Sequence, residues 1–252
     1  MPRFFIRAEQ VADDRVIIRG DDAHHISRSL RMATGERITV CDMQKNEYEC
    51  ELIEFAESHV TARILETRKS ETEPPFFVSV FQALPKGDKL DSVIQKAVEC
   101  GVGEVTTFES ERCVVRAKGE NEAKKTERRQ RIALEAAKQS GRGIVPTVHP
   151  TCSFSKAIEA AARADIALFC YEGDGTKALG EVLSEARKSL PENTFPTISI
   201  VIGSEGGFSL SEVEAARAAG LIPVGLGRRI LRTETAAAFA LACLVYEFEL
   251  RA

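Results

Sequence analysis

The stretch Ile200 to Arg217, IVIGSEGGFSLSEVEAAR, passes from an apolar segment through a glycine-rich loop into an amphipathic segment. Ser209 with Glu212 three residues on is a capping-box pair, so a helix begins there and its first unbonded N–H groups point back at the loop. Gly203, Gly206 and Gly207 permit positive φ and let the backbone approach a ligand closely. The loop is therefore either a ligand loop or a tight strand-to-helix turn that needs glycine for geometry alone. Glu205 decides what kind of ligand is admissible, because a carboxylate inside such a loop opposes a phosphate.

Two phosphate readings fail on what they require. A P-loop needs Lys and Ser/Thr after the last glycine, and here Phe208 and Ser209 follow. A dinucleotide fingerprint wants GxGxxG, and GSEGGF lacks that spacing. Arg228-Arg229 keep one alternative open, an NADP-dependent reductase with a 2′-phosphate site. The second loop, LGRRILRTETAAAFA (226 to 240), leaves a strand at Leu226-Gly227 and enters a small-residue helix at Thr233 or Glu234. Adjacent parallel strands would set it beside the first loop, at the carboxyl ends where α/β sheets bind ligands. Two backbone-rich loops, apolar Ile230 and Leu231, and one carboxylate suit an adenosine-like ligand without strong negative charge. S-adenosylmethionine, with its cationic sulfonium, fits better than a polyphosphate.

Outward from these loops, the chain after residue 75 alternates strand and helix, which predicts a parallel sheet covered on both faces. FFVSVFQAL reads as a buried strand, followed by DKLDSVIQKAVECG, where Leu90, Val93, Ile94, Ala97 and Val98 share a helical face and Gly101 supplies the stop. VTTFES, a basic helix ending near Ser140-Gly141, a short strand IVPTV, helices from about Phe154 and Lys177, and the strands ADIALFCYE, TISIVIG and LIPVGLG complete the pattern. The first 70 or so residues read instead as β-rich. RVIIRG, ERITVCD, EYECELIEF and VTARILET alternate or are β-branched, and DDAHHISRSLR reads as a short helix opened by an Asp cap, which together predict a small antiparallel barrel. RKSETEPP (68 to 75), ending in two prolines, is the domain boundary.

The 252 residues, 44% hydrophobic and 29% charged, describe an ordinary globular chain. No apolar run reaches the roughly 20 residues of a membrane span, and MPRFFIRAEQ lacks a secretory core, so a cytoplasmic protein with no membrane association is expected. Seven cysteines form no CxxC pair and four histidines no HExxH, so no metal site is expected. Net charge is −4, yet Arg112 to Arg142 hold ten Lys/Arg against four Glu. That segment is either a local footprint for phosphate backbone or a solvated helix face.

The chain resembles the bacterial ribosomal RNA small subunit methyltransferase E family of the SPOUT superfamily, which methylates N3 of a uridine in 16S rRNA. HHISRSLRMATGE, QALPKGDKLDSVIQKAVECGV, ESERCVV, EAAKQSGR, VIGSEGGF and LGRRILRTETA follow in the family's order. Cys113 departs from the Ser more common after Ser-Glu-Arg. The resemblance implies a PUA-like β-barrel RNA-binding domain (1 to 70), then a SPOUT methyltransferase domain (75 to 252) with a parallel sheet and a C-terminal trefoil knot. S-adenosylmethionine would lie in the knot loops of a homodimer acting on 16S rRNA of the small subunit. Periodicity alone would predict an unknotted sheet. A SPOUT enzyme methylating another base atom or a ribose 2′-hydroxyl, and a non-catalytic RNA-binding protein, remain alternatives.

Carried over residue by residue, Gly203, Glu205, Gly206, Gly207, Leu226, Gly227, Ile230, Leu231 and Ala236 form the cofactor pocket, joined by Tyr171, Glu172 and Gly173. Methylation at uracil N3 requires loss of the imide proton and stabilisation of the ring anion. Arg232 and Arg112 are the electrostatic candidates, Arg232 having a salt bridge to Glu234 as its plain alternative. Glu205 either orients cofactor or base, or caps a backbone N–H. For RNA the candidates are Arg3, Arg7, His25, Arg28 and Arg31 in the first domain, the last three on one helical face, then Lys86, Lys89, Arg112, Gln139, Ser140 and Arg142. Ordinary C-terminal capping is the alternative for the last three of these.

Overall fold

A computed structural model describes residues 1–117, 122–191 and 194–251, which fall into two compact units. The first comprises Met1–Glu73 with Ala137–Val145, the second Pro74–Ala136 with Pro146–Ala252.

The first unit is a curled six-stranded sheet. Its strands are β1 (Arg3–Phe5), β2 (Val11–Ala12), β3 (Arg15–Arg19), β4 (Arg37–Cys41), β5 (Asn46–Phe55) and β6 (His59–Lys69), in the order β1-β4-β5-β6-β3-β2. All pairs are antiparallel except β1 with β4. Alternation along each strand sends one face inward, so Val16, Ile18, Ile38, Val40, Cys50, Leu52, Val60 and Ala62 form one core with Phe4 and Ile26. Two register shifts in the β5–β6 pair, at Glu49/Cys50 and Leu52/Glu54, add the local twist that curls the sheet. The helix α1 (Gly20–His24) continues as a wider π turn over His25–Ser29. Its N-cap is Arg19 with no side-chain cap, not an Asp, because Asp21 and Asp22 already lie inside the first turn. Arg31 lies beyond the helix with φ at +51°, so it does not share the helical face of His25 and Arg28.

The second unit holds an all-parallel seven-stranded sheet. Its strands are β7 (Phe77–Ala83), β8 (Glu104–Glu109), β9 (Thr147–Ser153), β10 (Ile166–Cys170), β11 (Lys177–Ala178), β12 (Thr197–Ile202) and β13 (Ile222–Gly225), in the order β11-β13-β10-β12-β7-β8-β9. Helices α2 (Lys89–Glu99), α3 (Glu122–Ser140), α4 (Phe154–Ala161), α5 (Leu179–Ser189), α6 (Leu210–Ala218) and α7 (Thr233–Val245) connect or follow the strands, α7 ending in a π turn over Tyr246–Leu250. The predicted face of α2 is buried at all five positions, and Gly101 (φ +87°) ends the segment. β10 and β12 are near-continuous runs of buried residues, as a sheet covered on both faces demands.

Three expectations shift here. IVPTV is not a strand as a whole, since β9 starts only at Thr147 and runs on to Ser153. Lys177-Ala178 form the edge strand β11, and α5 starts at Leu179. β12 and β13 are not neighbours, because β10 pairs with both and stands between them. No described helix is long and apolar enough to cross a membrane.

Candidate cofactor and RNA site

At the carboxyl ends of β10, β12 and β13 three loops surround a cavity of about 740 Å³. That size suits a ligand of nucleoside dimensions, and its position follows the rule for open α/β sheets.

The loop after β12 is held from both ends. Gly207 (φ +64°) donates its N–H to Ser204 O at 2.9 Å, closing a tight turn that a side chain at φ near +64° would strain. Buried Phe208 then packs against Phe169 with ring centroids 4.3 Å apart. The capping box is formed: Ser209 Oγ accepts from Glu212 N, and Glu212 Oε2 accepts from Ser209 N at 3.0 Å. Glu212 is buried because it does more than cap, accepting also from Ser110 Oγ (3.1 Å) and Glu111 N (2.8 Å). The same carboxylate thereby ties the loop after β8, which carries Arg112, to the start of α6. Arg112 Nη1 donates to Gly206 O at 3.2 Å, and a Cβ on Gly206 would sit 3.0 Å from Arg112 Cβ and 3.1 Å from its carbonyl oxygen. Only glycine permits that approach without displacement.

The loop after β13 meets the first one although β10 intervenes. Thr233, the first residue of α7, donates its hydroxyl to Gly203 O at 2.7 Å. Gln82, fully buried on β7, donates to Thr233 Oγ1 at 2.9 Å and to Gly203 O at 3.3 Å. Gln82 is not among the candidates read from sequence, and Thr233 is read there only as a helix start. The available signal was a glutamine inside the apolar run FFVSVFQAL, since a buried polar group requires partners. The third loop follows β10, where Tyr171 N donates to Val224 O and Gly173 lies under the Tyr171 ring so closely that any Cβ would overlap it.

Of the cofactor candidates, Tyr171, Glu172, Gly203, Glu205, Gly206, Gly207, Leu226, Gly227, Ile230, Leu231 and Ala236 line the cavity, whereas Gly173 does not. Arg112 and Arg232 line it too, as do Lys89, Arg228 and Arg229, against the carboxylates of Glu172 and Glu205. Five cations against two anions favour approach of a polyanion to its mouth. Cys170 also lines it, but burial pushes its thiol up to about 12, which leaves no thiolate nucleophile at neutral pH. The side chain of Arg232 is 83% exposed and 4.0 Å from Glu234 Oε1, a loose pairing that leaves the guanidinium at the rim.

Glu205 faces α2. Its carboxylate accepts from Lys86 N at 3.2 Å and from Lys89 Nζ at 2.7 Å. Burial raises its pKa, but the Lys89 hydrogen bond and backbone N–H groups outweigh that and hold it below the ordinary carboxylate value. A carboxylate so held is a poor proton acceptor, which argues against a general base at this position.

The RNA candidates divide. Arg3, its side chain 15% exposed, is held by Glu47 Oε2 (2.7 Å) and Arg142 O (3.3 Å), and Arg142 is buried with a two-point pairing to Glu73 at 2.9 and 2.7 Å. These two arginines build the first unit and do not present their charge to solvent. Lys89 is likewise engaged with carboxylates. Arg7, His25, Arg28, Arg31, Lys86 and Gln139 are exposed, and Ser140 is half-buried. Much of the basic segment is paired locally: Arg128 with Asp91, Arg129 with Glu122, Arg131 with Glu127, Lys138 with Asp22. Lys118 and Glu120 of that segment lie outside the described residues.

An RNA methyltransferase domain family matches residues 72–245, and an RNA methyltransferase PUA domain family matches residues 18–65. The chain is 35% identical to ribosomal RNA small subunit methyltransferase E of Bacillus subtilis, over 99% of this chain and 98% of that one. It is 33% identical to the protein of the same name from Synechocystis, over 95% of this chain and 76% of that one. A solved structure of ribosomal RNA small subunit methyltransferase E from Neisseria gonorrhoeae, bound to S-adenosyl methionine, is similar with a TM-score of 0.80, 29% identity and 97% of both chains covered.

Proposed function

We propose a function from one premise: the chain belongs to the ribosomal RNA small subunit methyltransferase E family. Its reaction is S-adenosylmethionine-dependent methylation of 16S rRNA, and the acceptor is N3 of a uridine. The first unit, PUA-like and spanning about residues 1 to 70, binds RNA, and residues 75 to 252 form the methyltransferase domain with a C-terminal trefoil knot. The working form is a cytoplasmic homodimer.

The observation that carries this reading is the joining of two late loops, through Thr233 and Gly203, into one cavity whose lining suits the cofactor. Ser204 Oγ is buried at the cavity and has no hydrogen-bond partner among the described residues, so a polar ligand atom would complete it. Gly203, Gly206 and Gly207 leave backbone exposed where side chains would obstruct. Leu226, Ile230 and Leu231 offer apolar surface to an adenosine. The bound cofactor supplies an electrophilic methyl group on a sulfonium.

The residues do the rest. Loss of the imide proton to solvent water leaves negative charge over N3 and the flanking carbonyl oxygens, and N3 would bond to the methyl carbon as its bond to sulfur breaks, the neutral thioether leaving. Arg232 at the rim and Arg112 above Gly206 are the cations placed to stabilise that charge, and a preorganised cation costs no rearrangement at the moment of reaction. Glu205, already paired, orients the glycine loop and is not the base. Arg7, His25, Arg28, Arg31, Lys86, Gln139 and Ser140 are proposed RNA contacts, whose loss would weaken binding and its salt dependence rather than turnover.

Arg228 and Arg229 keep a reductase with a bound 2′-phosphate as the reading to test against. A thermal-shift comparison separates the two: S-adenosylhomocysteine raises the melting temperature on the proposed reading, and stabilisation by NADPH alone would overturn it.

A further inference from the structure

Lys89 opens α2, and its ammonium lies 2.7 Å from Glu205 Oε1 and 3.8 Å from Glu234 Oε2. Those carboxylates belong to different cofactor loops. Glu205 is the middle of the glycine loop, and Glu234 is the second residue of α7, two positions after Arg232. The Glu234 side chain is only 18% exposed, and its Oε2 is buried with no hydrogen-bond donor among the described residues, so the nearby Lys89 charge is what offsets its desolvation. Arg232 Nη1 lies 4.0 Å from the other oxygen, Oε1. The charges therefore run in alternating order: Glu205, Lys89, Glu234, Arg232.

Without the ammonium this corner would hold two carboxylates facing each other across the loops, one of them largely desolvated. Repulsion would drive the loops apart or rotate Glu234, and either movement displaces Arg232. The backbone adds a second tie, since Glu205 also accepts the Lys86 N–H just ahead of α2. A lysine suits the place, being a compact charge on a flexible stem with three donors.

We propose that Lys89 is a positioning residue for methyl transfer, holding the glycine loop and the start of α7 in register and so fixing where Arg232 stands, rather than an RNA-phosphate contact. This rests on the methyltransferase reading.

The test uses Lys89→Met, which keeps the stem and removes the charge, and Lys89→Arg, which restores a cation. In the ligand-free protein, Lys89→Met is expected to speed hydrogen exchange at the Lys86 amide, because Glu205 loses its anchor, and Lys89→Arg to return most of the protection. In the reaction, Lys89→Met is expected to lower kcat roughly tenfold to a hundredfold, the scale of a small misplacement of a catalytic group. KM for RNA and its salt dependence are expected to stay near the wild-type values, and the Arg variant to recover turnover. Unchanged exchange at Lys86 would overturn the latch whether or not any cofactor binds. An unchanged kcat with a raised KM and a shallower salt slope would overturn it in favour of a phosphate contact. Failure of the wild type to bind S-adenosylhomocysteine in calorimetry would instead remove the methyltransferase reading, and with it this role.

Discussion

Glu205 stands where a phosphate loop would forbid a carboxylate, and its contacts explain why it is tolerated: Lys89 Nζ and the Lys86 N–H face it, so no anionic ligand is needed or admitted there. Its pKa is lowered from 4.5, burial opposing and the Lys89 hydrogen bond prevailing. A carboxylate with a depressed folded value stabilises the fold above its unfolded pKa and loses that contribution as pH falls through the folded value. The Glu205 tie is therefore complete at neutral pH and fails only below the ordinary carboxylate range; an NMR titration of the Lys86 amide should show a transition below pH 4.5 in the wild type and none in Glu205→Gln. A transition near neutrality would contradict this assignment. Arg232, by contrast, is exposed at the rim and only loosely paired. Arg232→Ala should lower kcat roughly a hundredfold, the scale seen when a preorganised charge-stabilising group is removed, while S-adenosylhomocysteine affinity changes little. Equal losses in both would assign Arg232 to cofactor binding instead.

Among the elements, the strand-to-helix turn at Gly203–Ser209 carries the site, and its mechanical coupling to the loop after β8 is testable at one position. Gly206→Ala places a Cβ 3.0 to 3.1 Å from the backbone and Cβ of Arg112, so one loop must yield by a few tenths of an ångström. Turnover is expected to fall through displaced Arg112, with the melting temperature of the ligand-free protein lowered only slightly. Full activity would show that Arg112 has no fixed role. How much of this was legible in the sequence depended on range. The Ser209–Glu212 box, the buried face of α2 and the alternation of strand and helix are set by neighbours within one or two turns, and all are present as expected. Sequence could not order the strands, so β10 between β12 and β13 came as a correction. Nor could it pair Gln82 with Thr233, which are 151 positions apart and meet only in the fold. Arg3 and Arg142 carried charge that suited RNA, and burial beside Glu47 and Glu73 gave them structural work instead.

For the whole molecule, a curled, mostly antiparallel sheet and an all-parallel sheet are each compact units, and the PUA and RNA methyltransferase domain families match within them in turn. The cavity belongs to the second unit alone, formed by loops that the chain reaches late, after β10, β12 and β13. That is why two short motifs in the sequence pick out loops that line the cavity, while neither motif specifies an acceptor atom. Methyl transfer to the right atom is thus the most direct test of the account. Purified protein incubated with small ribosomal subunits or naked 16S rRNA and methyl-labelled S-adenosylmethionine, followed by digestion and nucleoside mass spectrometry, should place the label in N3-methyluridine alone. Label in a ribose-methylated nucleoside or another base, or none transferred at all, would contradict it.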